Sequence, residues 1–162
     1  MWLFKPHPAL KFKCLYVGLF KDEEEWDAYV QEWEDLKNGM VYQGSEYADY
    51  FRCSDALILD SSSFIAEYLF VNKPALFLTR KEQRFNDTGN CLVSLLYKAA
   101  GKQSSDIEKF VDEVVLSGKD EKKEERMYAF TKYLDSRCII EQGTNASMNI
   151  FHLLCAYLDK EV

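Results

Sequence analysis

The sequence predicts one domain of the α/β class, with a parallel sheet in its first half and helices in its second half. Short apolar runs alternate with helix-like segments along the first half, and this order is typical of parallel strands joined by helices. Residues 75–78 (ALFL) are apolar throughout, as expected for a strand covered on both faces. The length of 162 residues, with 48% hydrophobic and 29% charged residues, suits a single globular domain.

The predicted strands are short, and several end at turn-forming residues. The first covers residues 2–5 and ends at Pro6 and Pro8, because proline cannot donate a ladder hydrogen bond. Residues 12–20 are apolar and fit either a second strand or a loop that crosses the surface. The remaining predicted strands cover residues 40–42, 56–59 and 75–78.

The helices are predicted from capping residues and apolar periodicity. Asp22 is followed by three glutamates, so we expect it to cap a helix that runs to about residue 37. Ser45 is expected to cap a brief helix, and Asn72 to end a helix over residues 64–71. The second half is predicted to form helices over residues 91–100, 105–116 and 121–134, and a last helix that begins at residue 145 or 146 and ends at 158.

Composition and missing motifs exclude several classes of function. The net charge of −7 argues against general nucleic-acid binding, which needs a basic face, but permits one phosphorylated ligand. The five scattered cysteines and two histidines form neither a disulfide framework nor a metal site, and we predict no cofactor. No signal peptide or membrane-spanning run is recognisable, so a cytoplasmic protein is expected. Dinucleotide, Walker and nucleophile-elbow motifs are absent.

The most informative segment covers residues 54–68, where an apolar run ends in Asp60 and three serines precede a helix. In an open parallel sheet, this places the serines at the carboxyl end of a strand, where ligands bind. The free backbone N–H groups and the positive dipole end of the helix favour an anion there. Ser61, Ser62 and Ser63 are therefore candidates to bind a phosphate or diphosphate, the alternative being that they only cap the helix.

Other polar residues are predicted at the same edge. Glu67 lies one helical turn past the serines, where it is either a ribose ligand or a surface glutamate. Asp60 either orients the serine loop or only forms its turn. Lys5 and His7 follow the first strand; His7 can bind a phosphate oxygen or donate a proton, the alternative being a loop histidine between prolines. Residues 143–147 (GTNAS), at the start of the last helix, are a third signal.

Several short motifs occur in a fixed order along the chain. They are KPHP at 5–8, SDALILDSSS at 54–63, EY at 67–68, NKP at 72–74 and GTNAS at 143–147. This order resembles the carboxyl-terminal half of the CDP-glycerol glycerophosphotransferase family, the teichoic acid primases and polymerases. The family pattern is K-P-H-P, then S-D-x-L-I-x-D-Y-S-S, E/D-Y and N-K-P, with a closing G-K-A-S. The resemblance extends from about residue 4 to residue 158.

The resemblance implies a GT-B architecture, in which two Rossmann-like domains enclose the active site. Residues 1–162 would form the Rossmann-like, donor-binding domain of a longer protein, which on its own binds but does not turn over. The implied partners are a nucleotide-activated donor, CDP-glycerol or a similar compound, and an amino-terminal domain that binds the acceptor. The full-length enzyme would work in cell-envelope polymer synthesis, with peripheral association at the inner face of the membrane.

The resemblance also implies roles for individual residues. His7 would be catalytic, contacting the donor phosphates and assisting the leaving group. The expected phosphate ligands are Ser61, Ser62, Ser63 and Lys5, and the expected nucleotide or ribose ligands are Glu67 and Asp60.

Two departures from the family pattern concern the donor. Ser61 stands where the family has tyrosine, and residues 79–89 (TRKEQRFNDTG) replace an aromatic G-F-Y-F-D-Y loop, so the identity of the donor stays open. Arg80, Lys81 and Arg84 in this loop either neutralise ligand charge or are solvated surface residues. The alternative functions are a UDP-sugar 2-epimerase-like enzyme, disfavoured because its S-G-G is absent, and a non-catalytic binding module.

Overall fold

The computed structural model describes residues 1–61, 63–101, 104–133 and 146–159. The chain forms two compact units, Met1–Asp49 and Tyr50–Val162. The strands of each unit pair in parallel and are joined by helices, which confirms the predicted α/β class with a Rossmann-like arrangement. That the whole chain acts as one donor-binding domain stays a prediction.

The first unit is built on a two-stranded parallel sheet. Its elements are β1 (Trp2–Phe4), α1 (Leu10–Tyr16), α2 (Glu23–Asp35) and β2 (Gly39–Val41). The predicted cap of α2 is confirmed, because the side chain of Asp22 accepts a hydrogen bond from the backbone N–H of Glu25 at 3.0 Å. The ring of Phe4 stacks on that of Trp33 with 5.1 Å between centroids, so aromatic contacts join β1 to α2.

Helix α1 corrects the prediction for residues 12–20, which allowed only a strand or a loop. The LKFK run alternates apolar and polar residues, which is a strand-like period. The structure instead buries Cys14 and pairs the Lys11 ammonium with Glu23 and Asp27 of α2, at 2.8 and 3.0 Å. Hydrogen bonds to these two carboxylates raise the pKa of Lys11. Helix α1 is therefore joined to α2 by charged contacts that its own sequence pattern does not show.

The second unit contains a three-stranded parallel sheet in the order β3-β4-β5. Its elements, of which the first begins before the unit boundary, are α3 (Ala48–Cys53), β3 (Leu57–Leu59), α4 (Ser63–Tyr68) with a 3-10 turn (Leu69–Val71), β4 (Ala75–Thr79), α5 (Asp87–Ser94), β5 (Tyr97–Ala100), α6 (Ser104–Phe110) continuing as a π-helical segment (Val111–Leu116), α7 (Lys123–Tyr133) and α8 (Ala146–Leu158).

Helices cover both faces of this sheet, as the apolar run in β4 predicted. Successive strand residues point to opposite faces, so Leu76 and Phe77 belong to different clusters. Phe77 packs in one cluster with Tyr68 of α4, while Leu76 packs in the other with Phe110 of α6. Both strand side chains are almost fully buried, so β4 is the central element of the unit.

Two predicted helix boundaries are wrong. The helix predicted over residues 91–100 is two elements, because β5 pairs with β4 and buries Ala99, and this pairing overrides the helix propensity of alanine. Ser45 does not cap α3, which begins at Ala48. The hydroxyl of Tyr42 donates to the carbonyl oxygen of Glu46 at 2.8 Å and closes the chain around Ser45 into a turn.

The last described helix, α8, begins at Ala146, one of the two predicted starts, and contains no Asp, Glu, Lys or Arg. Residues 143–145 of the GTNAS motif lie outside the described residues. Within the described ranges, no helix combines the length and the apolar character that crossing a membrane requires.

Candidate functional site

The carboxyl ends of β3 and β4 lie side by side in the second unit. The two strands pair in parallel with Leu59 opposite Phe77, so the residues that follow them share one edge of the sheet. We call the polar residues at this edge the carboxyl-edge cluster: Asp60, Ser61, Ser63, Arg80 and Gln83. The cluster lies where the sequence predicted ligand binding.

Arg80 and Gln83 fold the loop after β4 onto the end of β3. The Nη2 of Arg80 donates to the carbonyl oxygen of Asp60 at 3.3 Å and lies 3.5 Å from its carboxylate Oδ2. Gln83 donates through Nε2 to the same carbonyl at 3.4 Å and accepts from the backbone N–H of Arg80 at 3.1 Å. The side chains of Arg80 and Asp60 are 65% and 59% exposed, so their attraction is screened by water.

The described serines interact with each other at the start of α4. The hydroxyls of Ser61 and Ser63 share a hydrogen bond of 2.9 Å, and the backbone N–H of Ser63 lies 3.4 Å from Ser61 Oγ. Ser63 is exposed, whereas Ser61 is half-buried. The contact from the N–H of Ser63 is the geometry of a local cap, and both hydroxyls lie at the predicted ligand edge. The remaining serine, Ser62, lies outside the described residues.

Glu67 lies on the same short helix as Ser63. Both are exposed residues of α4, four positions apart, as the sequence predicted. Asp60 directly follows β3 and is exposed, and it takes part in the loop contacts described above. These contacts are with the loop after β4, so the predicted role of Asp60 in orienting the serine loop, like ribose binding by either carboxylate, stays a prediction.

Other residues of the same sequence motifs form a network at the opposite edge of the sheet, where the strands begin. The hydroxyls of Tyr68 and Ser54 share a hydrogen bond of 2.9 Å. Lys73 donates from Nζ to the carbonyl oxygens of Arg52, at 2.6 Å, and Ser54. Because Ser54 and Lys73 precede β3 and β4, these bonds join the amino ends of the two strands.

Burial makes Tyr68 a neutral structural group. Its ring is 3% exposed and meets the ring of Phe51 edge-on, with 5.1 Å between centroids. Burial raises the pKa of Tyr68 to about 12, although the hydrogen bond with Ser54 acts in the opposite direction. In the EY motif, the tyrosine is therefore a buried structural residue, whereas the glutamate is exposed.

The NKP motif also has a structural role. Asn72 adopts the left-handed conformation, with φ of 47°, and ends the 3-10 turn after α4. Pro74 then accepts a hydrogen bond through its carbonyl oxygen from the backbone N–H of Leu57 at 3.1 Å. These two features turn the chain into β4 and hold its start beside β3, so the NKP motif helps to begin this strand.

A buried ion pair lies near this network. Arg126 is 1% exposed and holds both carboxylate oxygens of Asp120, and Tyr97 donates to the same carboxylate at 3.2 Å. Burial, followed by the Asp120 charge, raises the pKa of Tyr97. We call Ser54, Tyr68, Lys73, Asp120 and Arg126 the amino-edge network.

A cleft of about 280 Å³ lies at the amino edge rather than beside the serines. Its polar lining residues include Asp55, Asn72, Lys73, Asp120 and Lys123. Because Asp55 precedes β3 and Lys73 precedes β4, the cleft adjoins the strand starts. The cleft therefore gives no support to the carboxyl-edge cluster as a ligand site, and that assignment depends on the strand-end geometry.

The first unit holds the other two predicted site residues. His7 accepts at Nδ1 from the backbone N–H of Ala9 at 3.0 Å, so its neutral imidazole carries the proton on Nε2. Lys5 donates from Nζ to the carbonyl oxygen of Gly44 at 2.8 Å and lies 5.4 Å from the ring centroids of Tyr42 and Tyr47. His7 is exposed with a donor available, whereas Lys5 is engaged in contacts within the unit.

The described part of the chain offers no metal site. Across the described residues, no group of three or more His, Cys, Asp or Glu side chains could hold a metal ion.

Two residues of the carboxyl-edge cluster differ in how well the sequence indicated them. Sequence reasoning missed Gln83 altogether, since it lies in the loop that departs from the family pattern. Arg80 carried a stronger signal, because it lies two residues past the strand predicted over 75–78 and directly follows the observed β4.

Comparison with known protein families identifies the chain's relatives. The model of the CDP-Glycerol:Poly(glycerophosphate) glycerophosphotransferase family matches residues 3–154 of the 162-residue chain. The chain belongs to this family. The glycerophosphotransferase family supports a transferase-type function and implies a nucleotide-linked donor such as CDP-glycerol. No curated protein and no solved structure gives a significant match to the chain.

Proposed function

We propose that the chain is the donor-binding domain of a GT-B glycerophosphotransferase that uses CDP-glycerol or a similar donor in cell-envelope polymer synthesis, of the teichoic acid type. The observation that carries this proposal is the carboxyl-edge cluster in a chain of the glycerophosphotransferase family. Two observations support it: the serines follow β3 and Arg80 follows the neighbouring β4, at the edge where parallel sheets bind ligands, and Arg80 contacts Asp60.

The serines bind the diphosphate of the donor. Hydroxyl and backbone N–H groups are suitable donors to phosphate oxygens, and hydrogen bonds to charged groups are stronger than neutral ones. Ser61, Ser62 and Ser63 supply these donors at the start of α4. Glu67 and Asp60 accept hydrogen bonds from the ribose hydroxyls of the nucleotide, as acidic residues do in other nucleotide sites.

In the reaction, an acceptor hydroxyl attacks the phosphorus that bears glycerol and loses its proton to a base of the amino-terminal domain. The P–O bond to the cytidylyl phosphate breaks, glycerol phosphate is transferred, and CMP leaves with the bond's electron pair. His7 has its Nε2 proton available to stabilise the charge that develops on this leaving phosphate. Lys5, which is held by the Gly44 carbonyl, is a secondary phosphate contact. An amino-terminal domain supplies the acceptor site, and the full-length enzyme associates peripherally with the inner face of the membrane.

Calorimetric titration tests the donor site directly. CDP, CDP-glycerol, UDP and UDP-glucose are titrated into the chain and into a variant carrying Ser62→Ala and Ser63→Ala. We expect the cytidine compounds to bind more tightly than the uridine compounds, and the double variant to lose at least about tenfold in affinity, the equivalent of one strong charged hydrogen bond.

The matched control is Ser94→Ala, which removes an exposed serine hydroxyl from α5, on a different helix. This variant should bind CDP as the unchanged chain does. Equal CDP affinity in the double variant and in the control would remove the serines from the donor site. A His7→Gln variant of the full-length enzyme should lower kcat more than donor affinity if the imidazole acts on the leaving group.

A further inference from the structure

We propose that Arg80 is a donor-phosphate ligand particular to this chain, and that the Asp60 carboxylate competes with phosphate for its guanidinium. The inference depends on the proposed function, since it places a further residue at the same ligand edge. Arg80 belongs to residues 79–89, the loop that departs from the glycerophosphotransferase family pattern. The residue is therefore a candidate for setting which phosphorylated donor binds.

The first argument is position. Arg80 directly follows β4, and its Nη2 reaches across to both the carbonyl oxygen and the carboxylate of Asp60. These contacts place a permanent positive charge at the end of β3, where the serine turn begins. A phosphate bound by Ser61 and Ser63 at this edge would meet the guanidinium.

The second argument is capacity. A guanidinium has five N–H donors in a planar fork that matches two oxygens of a phosphate. The contacts with Asp60 engage Nη2 alone, at 3.3 and 3.5 Å, and the second distance is long for a hydrogen bond. The side chain of Arg80 is 65% exposed, so the rest of the fork is accessible from solvent.

The third argument is the weakness of the existing pair. Ion pairs between exposed side chains are weak because water and salt screen them. A diphosphate carries more charge than one carboxylate and can accept two parallel hydrogen bonds, so it should replace Asp60 at the guanidinium. Gln83 supports the arrangement, because its Oε1 accepts a hydrogen bond from the backbone N–H of Arg80. This bond holds the backbone from which the Arg80 side chain extends.

Two probes separate the roles of Asp60. Inorganic pyrophosphate has no ribose, whereas CDP has both the diphosphate and the ribose. If Asp60 only competes for Arg80, Asp60→Asn should tighten the binding of both probes about threefold or more. If Asp60 also binds ribose, the variant should gain affinity for pyrophosphate but gain less, or lose, with CDP.

The experiment titrates pyrophosphate and CDP into the chain and into Arg80→Ala, Arg80→Lys, Asp60→Asn and Arg84→Ala. Arg84→Ala is the matched control, because it removes another exposed arginine of the same loop. We expect Arg80→Ala to weaken both probes about tenfold, Arg80→Lys to restore part of the loss, and Arg84→Ala to change affinity less than twofold. The gain from Asp60→Asn should disappear when Arg80 is also alanine.

The outcomes distinguish this inference from the proposed function. Binding of CDP that is equal in Arg80→Ala and Arg84→Ala would overturn the assignment of Arg80 and leave the serine site standing. Weaker pyrophosphate binding by Asp60→Asn would overturn the competition. If the unchanged chain binds neither CDP nor pyrophosphate, the donor site itself is wrong, and the assignment of Arg80 is wrong with it.

Discussion

The two edges of the three-stranded sheet use residues from one set of motifs in opposite ways. At the amino edge, the hydroxyl of Tyr68 and the ammonium of Lys73 bond to partners within the protein, and Tyr68 is 3% exposed. At the carboxyl edge, Ser63, Asp60 and Arg80 are exposed, and the contact between the Arg80 and Asp60 side chains is long and screened by water. The motif side chains at the amino edge are engaged by internal bonds beside the cleft, whereas the carboxyl edge presents donors and charge to solvent.

The difference teaches that a family motif need not act as one functional unit. Ser54 and Ser63 lie in the same SDALILDSSS segment, yet Ser54 bonds internally and Ser63 lies at the ligand edge. Parallel strands cause the separation, because a strand carries its two ends to opposite edges of the sheet. Within this segment, Ser54 before β3 therefore bonds inside the fold, while Ser61 and Ser63 after β3 lie at the edge where we propose that the ligand binds.

The largest expected effect concerns the amino edge. Arg126→Met should lower the free energy of unfolding by about 3–5 kcal/mol, because it leaves the mostly buried Asp120 carboxylate without its partner. Urea unfolding followed by circular dichroism measures the change. Lys123→Met, an exposed change in the same helix, should stay within about 0.5 kcal/mol. Similar losses in both variants would contradict a stabilising role for the buried Arg126–Asp120 pair.

Lys73→Met should have the next largest effect. The variant keeps the aliphatic stem but removes the ammonium that bonds to the Arg52 and Ser54 carbonyl oxygens, so we expect a loss of about 1.5–3 kcal/mol. The same unfolding measurement applies, with Lys81→Met in the exposed loop as the control. CDP affinity should be unchanged at a temperature where both variants are folded, and a selective loss of affinity would place Lys73 in the site.

Tyr68→Phe should cost about 0.5–1.5 kcal/mol at neutral pH, since it removes one hydrogen bond and keeps the buried ring. The raised pKa of Tyr68 also predicts how the stability of the protein changes with pH. The folded pKa is raised from 10.0 to about 12, so the unfolded chain loses its proton first, and stability falls as pH rises from about 10 to about 12. Unfolding midpoints over this window should fall less steeply in Tyr68→Phe. Parallel slopes would contradict a buried, neutral phenol.

The smallest effect is expected at the open edge. Arg80→Ala should change the free energy of unfolding by no more than about 1 kcal/mol, because its pair with Asp60 is exposed and screened. Thermal unfolding at low and high salt measures this. A loss as large as that of Lys73→Met would show that Arg80 belongs to the structural part of the motif set.

The sequence predicts elements well where local signals and tertiary contacts agree. The Asp22 cap and the apolar run of β4 are both found, because capping and burial on two faces leave direct marks in the sequence. Helix α1 and strand β5 were missed. Both elements contact partners elsewhere in the sequence: Lys11 of α1 forms an ion pair with α2, and Tyr97 of β5 pairs with β4.

The candidate site was predictable in place but not in detail. Asp60 and the serines could be placed at a strand end from the pattern alone. Their contacts with Arg80 and Gln83 could not, because these residues lie in a loop whose path is set by side-chain hydrogen bonds. Likewise, the pattern treats Tyr68 and Glu67 alike, and only packing shows that one is buried and the other exposed.

A comparison of Ser54→Ala with Ser63→Ala tests the division of the motif most directly, with unfolding and CDP titration measured on each variant. Ser54→Ala should lose about 1–3 kcal/mol of stability, because the buried Tyr68 hydroxyl loses its partner, and should keep its CDP affinity. Ser63→Ala should keep its stability within about 0.5 kcal/mol and bind CDP more weakly. Loss of both properties in both variants, or CDP affinity unchanged in Ser63→Ala, would contradict the account.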